Sequence, residues 1–317
     1  MKRIALIGEC MIELNGSLFG DMHQSYGGDS LNTAVYMSRT LSESVEVNYV
    51  TALGNDAVSE GILERWQQEG VSTSMVLRDD SRQPGLYMIQ LDEKGERSFL
   101  YWRDQSAARY LIQHQGFSKV ASLLNQMDVV YLSGISLAIL PPKDRFVLLD
   151  LLATLSAQGM QIAFDSNYRP ALWGSIEEAQ QCYKTLFSIT DIALVTDDDE
   201  AALWGDQNAE ETLARLHRLG VKQAVVKMGA KGNYFEDFVT NTRTFVAANK
   251  VKSVVDTTSA GDSFNAGYLA GVLCGHSPVK CSEQGHLLAS QVIQHEGAII
   301  AKSAMASIKF DHSLHYD

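Results

Sequence analysis

Short apolar, β-branched runs recur at 3–8, 45–51, 128–133, 161–165, 191–196 and 223–228, with helical patterns between many of them. Strands buried on both faces read as continuous apolar runs of this kind, and helical stretches between them suit crossovers joining parallel neighbours. The expected class is therefore α/β, with a mainly parallel sheet covered on both faces. Ligands of such sheets gather at the carboxyl ends of the strands, where the polar strings FDSN, VTDD and KMGAKG all fall.

Two segments, 11–26 and about 74–103, break the alternation, and the second carries LYMIQLDEKGERSFLYW, two extended runs around a turn at 92–95. That is a hairpin signal, which pattern alone assigns equally to a surface elaboration or to a cover over a ligand. With 317 residues and no linker, low-complexity tract or internal repeat, the chain is expected to form one domain, residues 1–317, with these two segments as an appendage.

A formal charge of −12 with no basic run argues against a nucleic-acid partner or an anionic membrane surface, both of which need clustered Lys and Arg. Cys10, Cys182, Cys274 and Cys281 show neither CxxC spacing nor disulfide-framework density, which points to reduced thiols and a cytoplasmic location. Glu9 interrupts the apolar start that a signal peptide would need, so this segment reads as a first strand.

The chemistry concentrates at 256–267, DTTSAGDSFNAG. Ser259, Ala260 and Gly261 carry almost no side chain, so their N–H groups can close around an anion, and a helix starting near Asp262 adds the positive end of its dipole. A carboxylate in such a cradle suits phosphoryl transfer, in which an alcohol loses its proton while charge on the transferred group is stabilised. An ordinary loop with a capping Asp would share the AGD tripeptide. Gly27-Gly28 before a probable helix carrying Asn32, and a glycine bend at Gly229 and Gly232 after a strand ending in Lys227-Met228, are weaker signals that plain turns also produce. A GxxxxGK[ST] loop and the HRD and DFG motifs are absent from the sequence, which disfavours those phosphoryl-transfer classes.

The full string at 256–267 resembles the C-terminal signature of the ribokinase, or phosphofructokinase-B, family of sugar kinases, and GGDSLNTA at 27–34 resembles its N-terminal one. The resemblance implies a ribokinase-like three-layer α/β/α domain whose small β-rich lid comes from the two irregular segments, and a homo-oligomer, a dimer through that lid. It implies ATP and Mg²⁺, leaving monovalent-cation dependence open. Asp262 would be the catalytic base, with Ala260 and Gly261 forming the anion hole. Asn167, Thr196, Lys227, Gly229, Gly232, Ser259, Ala260 and Gly261 would hold the nucleotide. At TDDDE the family pattern is Asn-x-x-Glu; Asp197 replaces the Asn, while Glu200 matches the Glu and would order water around Mg²⁺.

GECMIEL at 8–14, VTALG at 50–54, PGLYMI at 84–89, ERSFLYWR at 96–103, YLSGISLAIL at 131–140, NYRPALW at 167–173 and GAII at 297–300 extend the likeness over almost the full length, toward members acting on acidic keto-sugars. The implied reaction is phosphorylation of 2-dehydro-3-deoxy-D-gluconate at its 6-hydroxyl. Arg103 and Arg169 would hold the carboxylate, and Gly28, Asn32, Tyr87, Tyr101 and Asp262 the hydroxyls. A kinase of a neutral sugar, or a non-catalytic sugar-binding relative, remains the alternative.

Overall fold

The computed structural model describes residues 1–41, 45–91, 97–306 and 308. Its strands are β1 (Lys2–Ile7), β2 (Met11–Gly16), β3 (Met22–Gly27), β4 (Val45–Gly54), β5 (Val76–Asp79), β6 (Gly85–Leu91), β7 (Arg97–Trp102), β8 (Val129–Ser133), β9 (Gln161–Asp165), β10 (Ile192–Thr196), β11 (Gln223–Lys227), β12 (Gly232–Asp237) and β13 (Thr242–Ala247). Nine of them form one sheet in the order β13-β12-β11-β10-β9-β8-β1-β4-β5. It is parallel from β5 to β11, and the β12–β13 hairpin closes one edge with antiparallel pairing. Each of the six runs read as strands lies in this sheet.

The period-2 geometry of a strand sends alternate residues to opposite faces, and both faces here are buried. Ala5, Ile7, Val130, Leu132, Ile162 and Phe164 pack on one side, against α3 (Phe117–Leu124), α4 (Gly134–Ala138), α5 (Pro142–Ala157), α6 (Ile176–Phe187), α7 (Asp197–Trp204) and α8 (Ala209–Leu219). Ile4, Leu6, Tyr49, Val129, Tyr131 and Leu194 face the other way, against α1 (Asp29–Thr40), α2 (Ala57–Gln68), α9 (Ala260–Leu273) and α10 (Pro278–Val292). This three-layer packing explains why the central strands carry no polar face. Each large apolar side chain buried this completely contributes about 1.5–3 kcal/mol.

The remaining strands make a four-stranded sheet, β3-β2-β6-β7, a small β-rich lid mixing antiparallel and parallel pairs. The segment 74–103 is divided between the two sheets: Val76–Asp79 pairs with β4 at the edge of the main one, and only its later part enters the lid. The turn expected at 92–95 falls outside the described residues. β7 is an edge strand with Phe99, Leu100, Tyr101 and Trp102 all exposed, whereas Met11, Tyr87 and Ile89 form the lid's own small buried cluster. All four cysteines are buried thiols, and no helix among the described residues is long and apolar enough to cross a membrane.

The order places β1 centrally, with β4 on one side and β8 on the other. Successive strands leave β1 in opposite directions, so a crevice is expected at the carboxyl ends on this axis. Glu9, Asp165, Thr196 and Lys227 all sit at or just beyond such ends.

Candidate active site

α9 starts at Ala260, preceded by Ser259 in the left-handed region at φ 64° and ψ 14°, a conformation uncommon for a side chain with Cβ and concentrated at functional sites. The Ala260 N–H donates to Thr257 O at 3.2 Å, and the Ser263 N–H closes the first helical turn on Ser259 O at 2.9 Å. The amides of Gly261 and Asp262 precede that closure and point along the helix axis. Of the two residues expected to form the anion hole, Gly261 thus has the more available amide. Asp256 fixes the loop: its carboxylate accepts from the Thr258 N–H at 2.9 Å and from the Gly297 N–H, also at 2.9 Å.

Asp262 keeps part of its surface open. Its Oδ2 accepts from Asn32 Nδ2 at 2.9 Å, and its carbonyl accepts from Thr33 Oγ1 at 3.2 Å, which ties the start of α9 to α1. The Asp262 carboxyl is pushed up to about 7, by burial first and then by the Asp29 carboxylate and Asp165, against the opposing pull of the Asn32 hydrogen bond. A carboxylate poised there is a competent proton acceptor near neutral pH.

On the α1 side, a Cβ at Gly28 would lie 2.1 Å from Glu9 O, so only glycine permits this crossing of chain segments. Asn32 Oδ1 is buried without a hydrogen-bond partner among the described residues, an acceptor placed beside Asp262. Asn167, at φ 31°, donates to Asp29 Oδ2 at 2.7 Å and so belongs to this end of the site. Tyr87 donates to Glu13, and its ring centroid lies 5.9 Å from that of Tyr101, which is 53% exposed.

The two arginines are held by different carboxylates. Arg103 is nearly buried and pairs with Glu9, whose other oxygen accepts from Ser106 Oγ. Arg169, with 51% of its side chain exposed, donates to Asp199 Oδ1 at 3.1 Å.

At the end of β11 the Lys227 ammonium donates to Asp165 Oδ1 at 3.3 Å and Asn265 Oδ1 at 3.0 Å. Gly229 and Gly232 differ in what they require. A Cβ at Gly229 would meet open space, whereas one at Gly232 would lie 2.1 Å from Val246 O, so the β12–β13 pairing itself demands that glycine. Thr196 ends β10 and precedes α7. Asp197 beside it is pushed up, by burial first and then by Asp198. Glu200 is fully buried and accepts from Arg215 Nη2 at 2.5 Å; burial raises it to about 7 against the pull of that guanidinium. Among the described residues no group of three or more His, Cys, Asp or Glu side chains could hold a metal ion.

The structure thus gathers Asp262, Gly261, Asn32 and Lys227 around one helix start. It adds Asp29, Asp165 and Asn265, which sequence reasoning had not assigned. Asp29 directly follows the Gly27-Gly28 pair and Asp165 ends the apolar run 161–165, so both positions are visible in the sequence. Asn265 carried no signal beyond lying one turn after Asp262.

Residues 1–305 match the family described as pfkB family carbohydrate kinase. A 2-dehydro-3-deoxygluconokinase of Haemophilus influenzae is 54% identical over 98% of this chain and 99% of its own length. One of Escherichia coli strain K12 is 48% identical over 96% of this chain and 99% of its own. The fold is shared with a putative ribokinase II of Escherichia coli, solved in complex with ATP and Mg²⁺, at a TM-score of 0.81 and 19% identity over 94% of this chain and 95% of that one. With nearly the whole length matched and both signature segments meeting at one helix start, the chain belongs to the pfkB family of carbohydrate kinases.

Proposed function

We propose that the protein transfers the γ-phosphoryl of ATP to the 6-hydroxyl of 2-dehydro-3-deoxy-D-gluconate, giving the 6-phosphate and ADP. The substrate follows that of the two bacterial relatives, which match end to end at about half identity. The observation that carries the chemistry is the Asp262 carboxyl, poised near neutrality at the start of α9.

In this reading Asp262 takes the proton of the attacking hydroxyl as the oxygen–phosphorus bond forms and the bond to ADP breaks. The Gly261 amide and the α9 dipole face the charge on the moving group, with Ser259 and Ala260 shaping the turn. Asn32 bridges base and sugar: its amide nitrogen holds Asp262 and its free oxygen accepts from a sugar hydroxyl. Gly28, Tyr87 and Tyr101 line the sugar side, and the lid excludes water from it. Arg169, half-exposed and bound to Asp199 by a single donor, is the cation free to turn toward the sugar's carboxylate. Arg103 acts from beneath through its pair with Glu9.

Lys227, Gly229, Gly232 and Thr196 border the nucleotide. Asn167, through Asp29, links that border to the sugar. Mg²⁺ would be held here through the nucleotide's phosphates and water, and the buried Glu200 carboxylate, fixed by Arg215, would order that water. Bound there, the ion neutralises phosphate charge. The exposed apolar edge of β7 fits a second copy of the chain, so the working form is a dimer through the lid.

ADP release measured across acidic and neutral sugars tests this reading. The keto acid should exceed fructose and ribose by on the order of 10²-fold or more in kcat/KM, because a site built around a charged group rejects ligands that lack it. Turnover confined to a neutral sugar would replace the substrate assignment, and no turnover with any sugar would reduce the protein to a binding relative.

A further inference from the structure

Lys227 is 8% exposed at the end of β11, below the turn that opens α9. Its ammonium rests on Asp165 Oδ1 and Asn265 Oδ1, and Asn265 Nδ2 in turn donates to Asp165 Oδ2 at 2.8 Å and to Tyr131 Oη at 3.2 Å. A Cβ at Gly261 would lie 3.7 Å from Lys227 Nζ, the one heavy atom within 4 Å of it among the described residues beyond its own stretch of helix. The missing side chain of Gly261 therefore opens a path between the buried ammonium and the cradle formed by its own amide.

We propose that Lys227 is a catalytic cation of the phosphotransfer reaction: it leaves Asp165 for the transferring phosphoryl as charge builds there, and Asp165 and Asn265 are the positioning residues that hold it ready. The inference rests on the phosphotransfer reading above. Asp29, Asp165 and Asp262 crowd this end of the cleft with negative charge, which opposes an incoming polyphosphate. A lysine already desolvated and hydrogen-bonded offsets that charge with little reorganisation. Lys227 gives up no proton in this step: the hydroxyl's proton goes to Asp262 and the electron pair of the broken bond goes to ADP. Gly261 is then required for access: alanine there would meet Lys227 at ordinary contact distance, leaving the fold intact while covering the ammonium.

The test compares wild type, Lys227→Gln, and the double variant Lys227→Gln/Asp165→Asn, which restores charge balance in the buried cluster. Lys227→Gln should lower kcat on the order of 10²–10³-fold, the loss typical of one transition-state donor, with the KM for ATP moving less than about fivefold. The double variant should melt like wild type yet stay as slow as the single one. ADP with aluminium fluoride, a mimic of the transferring group, should lose affinity in both variants by the factor lost from kcat. Recovery of turnover in the double variant, or a raised KM with unchanged kcat, would overturn the proposal by making Lys227 a partner for Asp165 or a ground-state ATP contact. A wild-type protein that turns over no sugar would overturn the phosphotransfer reading itself, whereas an active wild type with an unimpaired Lys227→Gln variant would overturn only this inference.

Discussion

Replacing Asp262 by Asn should abolish turnover and at the same time make the protein more stable. The Asp262 carboxyl rises from 3.8 to about 7 on folding, mainly through burial and then through Asp29. At 1.36 kcal/mol per pH unit this is about 4 kcal/mol against ionisation. The sign follows from proton binding: between roughly pH 4 and 7 the folded chain holds this proton more tightly than the unfolded one, so stability falls as pH rises through that window. Above it the full cost is present. Asparagine keeps an oxygen to accept from Asn32 and carries no charge, so at pH 8 it should recover about 2–4 kcal/mol, roughly 3–6 °C in melting temperature for a chain of this size. At pH 4 the gap should shrink to about 0.5 kcal/mol, because Asp262 is then protonated in the folded chain and about half ionised in the unfolded one. Turnover should drop on the order of 10²–10⁴-fold or more with loss of the base. In wild type, kcat/KM should climb about tenfold per pH unit up to an apparent pKa near 7, then level off. Melting curves and rate profiles across pH 4–9 decide the matter. An Asn variant less stable at pH 8, or a wild-type acid limb centred near pH 4, would refute the account of Asp262 as a buried, charge-crowded base.

Two further substitutions separate recognition from architecture. Arg169→Gln lies at a half-exposed position and should change stability by no more than about 0.5 kcal/mol. It should raise KM for the keto acid about 10–100-fold, the worth of a charge-assisted hydrogen bond, without altering any residual rate on neutral sugars; an unchanged acid-to-neutral ratio would remove Arg169 from carboxylate binding. Gly28→Ala drives a methyl to within 2.1 Å of Glu9 O and must displace backbone, costing about 1–3 kcal/mol or more. Thermal unfolding should show the loss, together with a raised KM for sugar, and a variant that melts like wild type would mean that the crossing of Gly28 over Glu9 is looser than described.

What could be read from the chain was whatever its local pattern fixes. Both faces of the central strands are covered, so their apolar runs stand out, whereas Thr242–Ala247 is a mostly exposed edge strand and Val76–Asp79 a short half-buried one, too weakly patterned to separate from loops. The start of α9 was equally legible, since a small-residue turn and a carboxylate are neighbours in sequence. Its electrostatics were not. Asn32 and Asp262 are 230 residues apart and meet only because α1 and α9 lie on the same face of the sheet, and Asp165 arrives from the end of β9. The pairing of Arg103 with Glu9 spans 94 residues, a contact that no local pattern announces. A strand sequence specifies burial, but the order of strands decides which carboxylates become neighbours. Local sequence therefore announces the Asp262 carboxyl, whereas its rise to about 7 comes from burial within the three-layer fold and from the Asp29 and Asp165 that the fold brings beside it.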